Sequence, residues 1–232
     1  MVSTKEIFEN LQAVGERISS AADRSGRSAK KIRLVAVTKY SQLDDGFIEA
    51  LLQTGCRDLG EARPQSLVEK AERFQFFPDK IHWHLIGSLQ RNKIRRVLPV
   101  CSMIHSVDSL RLFDAIDRIA EEDNLLSVPP LLLEINISAE ESKHGFEPEE
   151  LPSVLEYAAK FPRLQIAGLM GMSGLRSDET QKRREFQTLF RLAESHGLPE
   201  LSMGMSDDFE IAIEEGATLL RLGSVLYPDG AI

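Results

Sequence analysis

Short apolar or β-branched runs recur along this 232-residue chain, and helical patterns separate them; that alternation limits the fold more than any single residue does. The runs fall at 34–38, 58–60, 82–86, 103–106, 131–137, 164–169, 200–202 and 218–222. Residues 131–137 (Leu-Leu-Leu-Glu-Ile-Asn-Ile) are hard to read as anything but a buried strand. A helix precedes the first run, with Ile7, Leu11, Val14 and Ile18 on one face. Another begins near Asp178, carries Phe186, Leu189, Phe190 and Ala193 on one face and stops at Gly197; a further one opens at Ser206 and stops at Gly216. Eight strand–helix alternations in this length predict an α/β fold, a single-domain (β/α)8 TIM barrel with an extra N-terminal helix. A doubly wound open sheet is the second fold that accommodates the pattern. No Pro/Gly/Ser-rich linker divides the chain, so residues 1–232 read as one domain.

Composition narrows the partners. Apolar residues make up 42% and charged residues 28%, the balance of a soluble globular protein. A net charge of -8 argues against binding nucleic acid or an acidic membrane through a global field. Arg91, Lys93, Arg95 and Arg96 form a local basic stretch that a solvated helix face accounts for better than a binding patch does. The two cysteines, Cys56 and Cys101, have no metal-ligand spacing and suit a reducing cytosol. The N-terminus lacks a secretory h-region and no apolar run reaches transmembrane length, so a cytoplasmic protein is expected.

In a barrel the chemistry sits where strands end. Arg33-Leu34-Val35-Ala36-Val37-Thr38-Lys39 places Lys39 at the C-terminal mouth of the first strand. Partial burial there lowers the pKa of an amine, which can then attack an aldehyde; a solvated lysine capping a strand fits the same residues. At the other end of the chain, Gly204-Met205-Ser206-Asp207-Asp208 follows strand seven. Ser206 is either a phosphate ligand or an N-cap, and the phosphate reading requires Asp207 and Asp208 to point away. Gly223 and Ser224 follow strand eight, where barrels often hold phosphate. Arg221 lies on that strand between Leu220 and Leu222, and is costly there unless it meets a ligand or a carboxylate. A lysine, a phosphate cradle and an arginine together suggest pyridoxal 5'-phosphate, with Arg221 as partner of the ring nitrogen. An arginine leaves that nitrogen unprotonated and disfavours deep carbanion chemistry.

These residues resemble the pyridoxal phosphate homeostasis proteins (YggS/PROSC type), single-domain relatives of the alanine racemase barrel. The matching segments include Val35-Ala36-Val37-Thr38-Lys39, His82-Trp83-His84-Leu85-Ile86-Gly87-Ser88-Leu89-Gln90-Arg91-Asn92-Lys93 and Ser142-Lys143-His144-Gly145. Leu201-Ser202-Met203-Gly204-Met205-Ser206-Asp207-Asp208 and Arg221-Leu222-Gly223-Ser224 complete the series. The resemblance implies that Lys39 forms the internal aldimine, that Ser206, Gly223 and Ser224 hold the phosphate, and that Arg221 lies near the pyridine nitrogen. His82, His84, Asn92 and Lys93 belong to the family signature; His84 and Asn92 are expected at the cofactor site. The chain departs from the family at Ala62, Ser41 and Pro228, which points to altered cofactor affinity or exchange. Lys143 keeps its place and is either a secondary amine acceptor or a solvated loop residue.

The resemblance implies a protein that buffers pyridoxal phosphate or delivers it to apoenzymes, without substantial turnover. An amino-acid racemase is the alternative. That reaction needs a base on each face of the substrate carbon, and in alanine racemases the second is a tyrosine associated with a C-terminal domain. The chain ends at Ile232 without room for that domain, and Tyr40, Tyr157 and Tyr227 are poor candidates for the base. A class I aldolase-like barrel would share the lysine and the phosphate site but has no use for Arg221. A monomer is expected, because the barrel is complete within one chain.

Overall fold

The apolar runs become eight parallel strands in a computed structural model, which describes residues 4–38, 45–138 and 144–227. They are β1 (Arg33–Val37), β2 (Asp58–Glu61), β3 (His82–Leu85), β4 (Met103–Val107), β5 (Leu131–Glu134), β6 (Ile166–Met170), β7 (Glu200–Ser202) and β8 (Leu219–Leu222). Each pairs with its neighbour in sequence, and β1 pairs with β8 from Arg33↔Leu219 to Ala36↔Leu222. The sheet is therefore a closed barrel, and the open doubly wound alternative is excluded. Helices α2 (Asp45–Gln53), α3 (Pro64–Arg73), α4 (Ile94–Val97), α5 (Leu110–Glu122), α6 (Leu151–Ala158), α7 (Glu179–Ser195) and α8 (Phe209–Glu214) lie between strands. The preceding helix, α1 (Thr4–Arg24), completes the set. No described helix is long and apolar enough to cross a membrane.

Alternation along the strands divides the core in two. Val35, Met103, Leu132, Ala167, Met170 and Leu219 pack inside the barrel, whereas Ala36, Leu59, Leu85, Ile104 and Leu220 pack outward against the helices. Helix α1 buries Ile7, Val14 and Ile18, each worth about 1.5–3 kcal/mol relative to exposure. Its polar face is laced to α8 by Arg17–Glu210 at 2.7 Å and Arg24–Glu214 at 2.7 Å. These exposed pairs orient the helix more than they stabilise it.

Two boundaries and one burial differ from expectation, each for a local reason. The β5 ladder stops at Glu134 because the chain beyond turns to a new partner: Ile135 bridges Phe146, and the Asn136 N–H donates to the Phe146 carbonyl at 2.9 Å. Helix α8 starts at Phe209, since the Asp208 carboxylate takes the Met205 N–H at 2.6 Å and holds the preceding residues in a turn. Phe190 is 37% exposed; it sits at the edge of the α7 stripe and covers Gly216, where an added Cβ would lie 2.4 Å from its ring.

Gly168 shows how tightly β6 and β7 approach. A Cβ there would lie 1.9 Å from the Glu200 carbonyl oxygen, which is backbone and cannot swing aside. Gly168→Ala is expected to cost about 3 kcal/mol, read as a lowered urea midpoint; an unchanged midpoint would contradict the β6–β7 register.

Candidate functional site

Lys39 lies outside the described residues, as do Tyr40, Ser41, Lys143 and Pro228. The backbone that leads to Lys39 is held from several sides. The Thr38 N–H donates to the Gly60 carbonyl at 2.8 Å, and Thr38 is buried. Lys70, one α3 turn beyond Leu67, donates to the Thr38 carbonyl and pairs with the buried Glu61 carboxylate. Glu61 Oε1 accepts the Ala62 N–H at 2.8 Å and the Arg63 N–H at 3.3 Å, so the same side chain orders the turn into α3. The Tyr227 hydroxyl donates to the Val37 carbonyl. The Val37 carbonyl at the end of β1 and the Thr38 carbonyl after it are thus both fixed, and residue 39 follows from an anchored position.

The loops after β7 and β8 meet. Ser206 Oγ accepts from the Gly223 N–H at 3.3 Å and the Val225 N–H at 3.4 Å. Gly204 permits the approach: its φ is +91°, and a Cβ would lie 2.7 Å from Ala212. Ser224 is exposed at the start of a single 3-10 turn, Ser224–Leu226. Asp208 is buried and engaged with Ser173 Oγ at 2.6 Å as well as the Met205 N–H, while Asp207 is exposed. Ser206, Gly223 and Ser224 therefore share one corner, and the Asp208 carboxylate is committed elsewhere. Tyr227 ends the 3-10 turn with its N–H on the Ser224 carbonyl at 3.2 Å, so it ties this corner to the end of β1. Asn10 of α1 holds the Tyr227 carbonyl at 3.1 Å.

Arg221 is the charge at the centre, buried to 5% exposure. Its Nη1 donates to the Ser202 carbonyl and to Ser202 Oγ, both at 2.7 Å, and Nη2 donates to the Gly171 carbonyl at 3.1 Å. Three of five N–H groups are thereby used. Nε has no hydrogen-bond partner among the described residues. Burial pulls the guanidinium down to about 10, against the opposing pull of Asp208 and Glu134, so the charge persists at neutral pH. A hydroxyl and backbone N–H groups beside a guanidinium with a spare donor suit a phosphate and a ring acceptor.

His84 is buried with both ring nitrogens engaged, by His105 at 2.9 Å and Asp58 at 3.0 Å. Asn92 is exposed on the 3-10 turn Arg91–Lys93 after β3. In the basic stretch, Arg95 pairs with Glu122 and Asp123, as a solvated helix face would. Sequence alone does not single out Ser202, His105, Asp58, Glu134 or Lys70. For Ser202 and Arg221 the available signal is polarity at inward positions of otherwise apolar strands; for Lys70 there is none, because its partners are set by how α3 packs.

Glu134, at the end of β5, is raised to about 7 by burial first and then by Asp108, with Arg221 and His144 opposing. The folded protein thus holds this proton more tightly than the unfolded chain does. Its stabilisation is complete below the ordinary value of 4.5 and is lost as pH rises through about 7. Glu134→Gln is expected to match wild type in acid and exceed it near pH 8 by on the order of 2–3 kcal/mol, measured by urea unfolding. Equal stability at both pH values would sink this assignment.

The model of the alanine racemase N-terminal domain matches residues 10–230. A pyridoxal phosphate homeostasis protein of Synechocystis sp. is 42% identical over 204 residues, covering 85% of this chain and 91% of its own. One from Aquifex aeolicus is 36% identical over 225 residues, covering 94% and 96%. Among solved structures, PipY of Synechococcus elongatus with PLP bound superposes with a TM-score of 0.77 at 32% identity, covering 93% of this chain and 100% of PipY. On these matches the chain belongs to the pyridoxal phosphate homeostasis protein family, built on the barrel of the alanine racemase N-terminal domain.

Proposed function

We propose that this chain binds pyridoxal 5'-phosphate and acts in intracellular vitamin B6 homeostasis, holding the cofactor without substantial turnover. The observation that carries the reading is the junction of Ser206 with the Gly223 and Val225 N–H groups beside Arg221. It lies at the same barrel end to which β1 delivers residue 39. The PLP-bound relative at 32% identity adds support. When bound, pyridoxal phosphate supplies an aldehyde that condenses reversibly with a lysine amine, releasing one water.

In this reading Lys39 is the amine, and its backbone is anchored by Lys70, Glu61 and Tyr227. Ser206, Gly223 and Ser224 form the phosphate corner, and the spare donor of Arg221 meets the ring nitrogen. Asn92 borders the site after β3, while His84 reaches it only through His105. The reading extends to a monomer in the cytoplasm and to apoenzymes that receive the cofactor.

Racemisation has less support. Tyr157 lies on α6 and donates to Asp114 at 2.6 Å, on the outside of the barrel. The buried Tyr227 hydroxyl is committed to the Val37 carbonyl. Neither offers a second base.

Wild type is expected to develop a visible absorption band when pyridoxal phosphate is added, and Lys39→Ala to develop none. Borohydride reduction followed by peptide mapping should label Lys39. A band independent of Lys39, or label scattered over surface lysines, would overturn the assignment. Ser206→Ala is expected to weaken binding about tenfold through loss of one charge-assisted hydrogen bond, read by titration of the same band.

A further inference from the structure

A continuous chain of hydrogen bonds crosses the barrel interior and leaves at the opposite rim. Arg221 Nη1 lies 2.7 Å from Ser202 Oγ, which lies 2.8 Å from His105 Nδ1. His105 Nε2 lies 2.9 Å from His84 Nδ1, and His84 Nε2 lies 3.0 Å from Asp58 Oδ1. The chain thus runs from β8 and β7 across to β4, β3 and β2. Arg221, Ser202, His105 and His84 are all buried, whereas Asp58 opens β2 and, like the neighbouring His82, is half-buried.

The two ends dictate the direction of every bond. A guanidinium only donates, and a carboxylate only accepts. Ser202 Oγ accepts from Arg221, and toward a neutral His105 that gives its Nε2 proton to the Asp58 side it donates its own proton to His105 Nδ1. His105 must then carry its proton on Nε2 and donate to His84 Nδ1. His84 in turn carries its proton on Nε2 and donates to Asp58. In this arrangement each imidazole carries its proton on Nε2. Burial first, then His84 and Arg221, push His105 well below its ordinary value, which agrees with a neutral ring. Burial raises Asp58, but the His84 hydrogen bond and nearby positive charge outweigh it, so the carboxylate stays ionised.

The chain matters most at Ser202. Two of the acceptors on Arg221 are backbone carbonyls, which cannot reverse their polarity. The third is a hydroxyl, which can turn its proton toward or away from the guanidinium. His105 resolves that choice by taking the proton, and His105 is itself oriented from Asp58. We propose that Asp58, His84, His105 and Ser202 are positioning residues for Arg221: a carboxylate at the far rim, through one one-way chain, fixes the acceptor that aims the guanidinium. The functional weight of this proposal rests on the reading of Arg221 as the group that meets the cofactor ring.

The test is nitrogen-15 NMR of the imidazoles and guanidinium in the protein without ligand, for wild type, Asp58→Asn, Asp58→Ala and His105→Phe. In wild type both His84 and His105 should be neutral with the proton on Nε2, and the Arg221 Nη protons should exchange slowly. Asp58→Asn retains an acceptor oxygen and should preserve both features. Asp58→Ala should give mixed tautomers at His84, and both Asp58→Ala and His105→Phe should show Arg221 guanidinium rotation faster by several-fold. A proton on Nδ1 of either histidine in wild type overturns the proposal even if a variant fails to fold. So does unchanged guanidinium exchange in folded Asp58→Ala and His105→Phe. Pyridoxal phosphate is then added, and its Kd should rise about tenfold in Asp58→Ala but not in Asp58→Asn, the range typical of groups that orient a ligand-holding residue. If wild type binds no cofactor while the guanidinium responds as expected, the cofactor reading falls and the positioning of Arg221 stands.

Discussion

A guanidinium charge inside a closed barrel must be compensated by whatever surrounds it, and much of the interior is arranged to do so. Removing such a charge from water costs several kcal/mol. Arg221 recovers part of this through the Ser202 and Gly171 acceptors, and part through the fields of Asp208 and Glu134. Each compensation creates a further demand. Asp208 needs Ser173 Oγ and the Met205 N–H, and those bonds shape the loop before α8. Glu134 is raised to about 7 by burial and Asp108 against the pull of Arg221, and Ser202 is oriented by the histidines behind it. The apolar cluster of Val35, Met103, Leu132, Ala167, Met170 and Leu219 fills the rest of the barrel.

The mouth depends on a second set of constraints that converge on Tyr227. Its N–H closes the Ser224–Leu226 turn, its hydroxyl holds β1, and its ring packs against Phe47 with centroids 4.2 Å apart. The Asn10 amide gives α1 a grip on the same residue. The corner of Ser206, Gly223 and Ser224 and the backbone at the end of β1 are thereby tied together. Chemistry that requires an amine and an anion site at a fixed spacing is served by such coupling.

Several features were legible because they depend on local pattern. Apolar runs marked all eight strands, and strand ends marked Ser206, Gly223 and Ser224, which meet in one corner, while Lys39 lies outside the described residues. Inward alternation marked Arg221 as expensive. Boundaries were less legible where a side chain competed with the backbone, as Asp208 does ahead of α8. At the end of β5 the returning Phe146 takes the Glu134 carbonyl and the Asn136 N–H while the Ile135 N–H still reaches β6, which no local pattern announces.

By itself, the sequence determined the strand and helix positions, the face each residue occupies and the chemical groups present at strand ends, since periods of 2 and 3.6 are properties of neighbouring residues. Closure of β1 onto β8 was decided only in three dimensions. So were the contact of Ser202 on β7 with His105 on β4, the direction of the hydrogen-bond chain and the raised Glu134 carboxyl. These depend on distances across the barrel between residues far apart in the chain, and on water excluded from the space between them. Period-2 alternation states that a side chain points inward; the curvature of the closed sheet decides what it meets there.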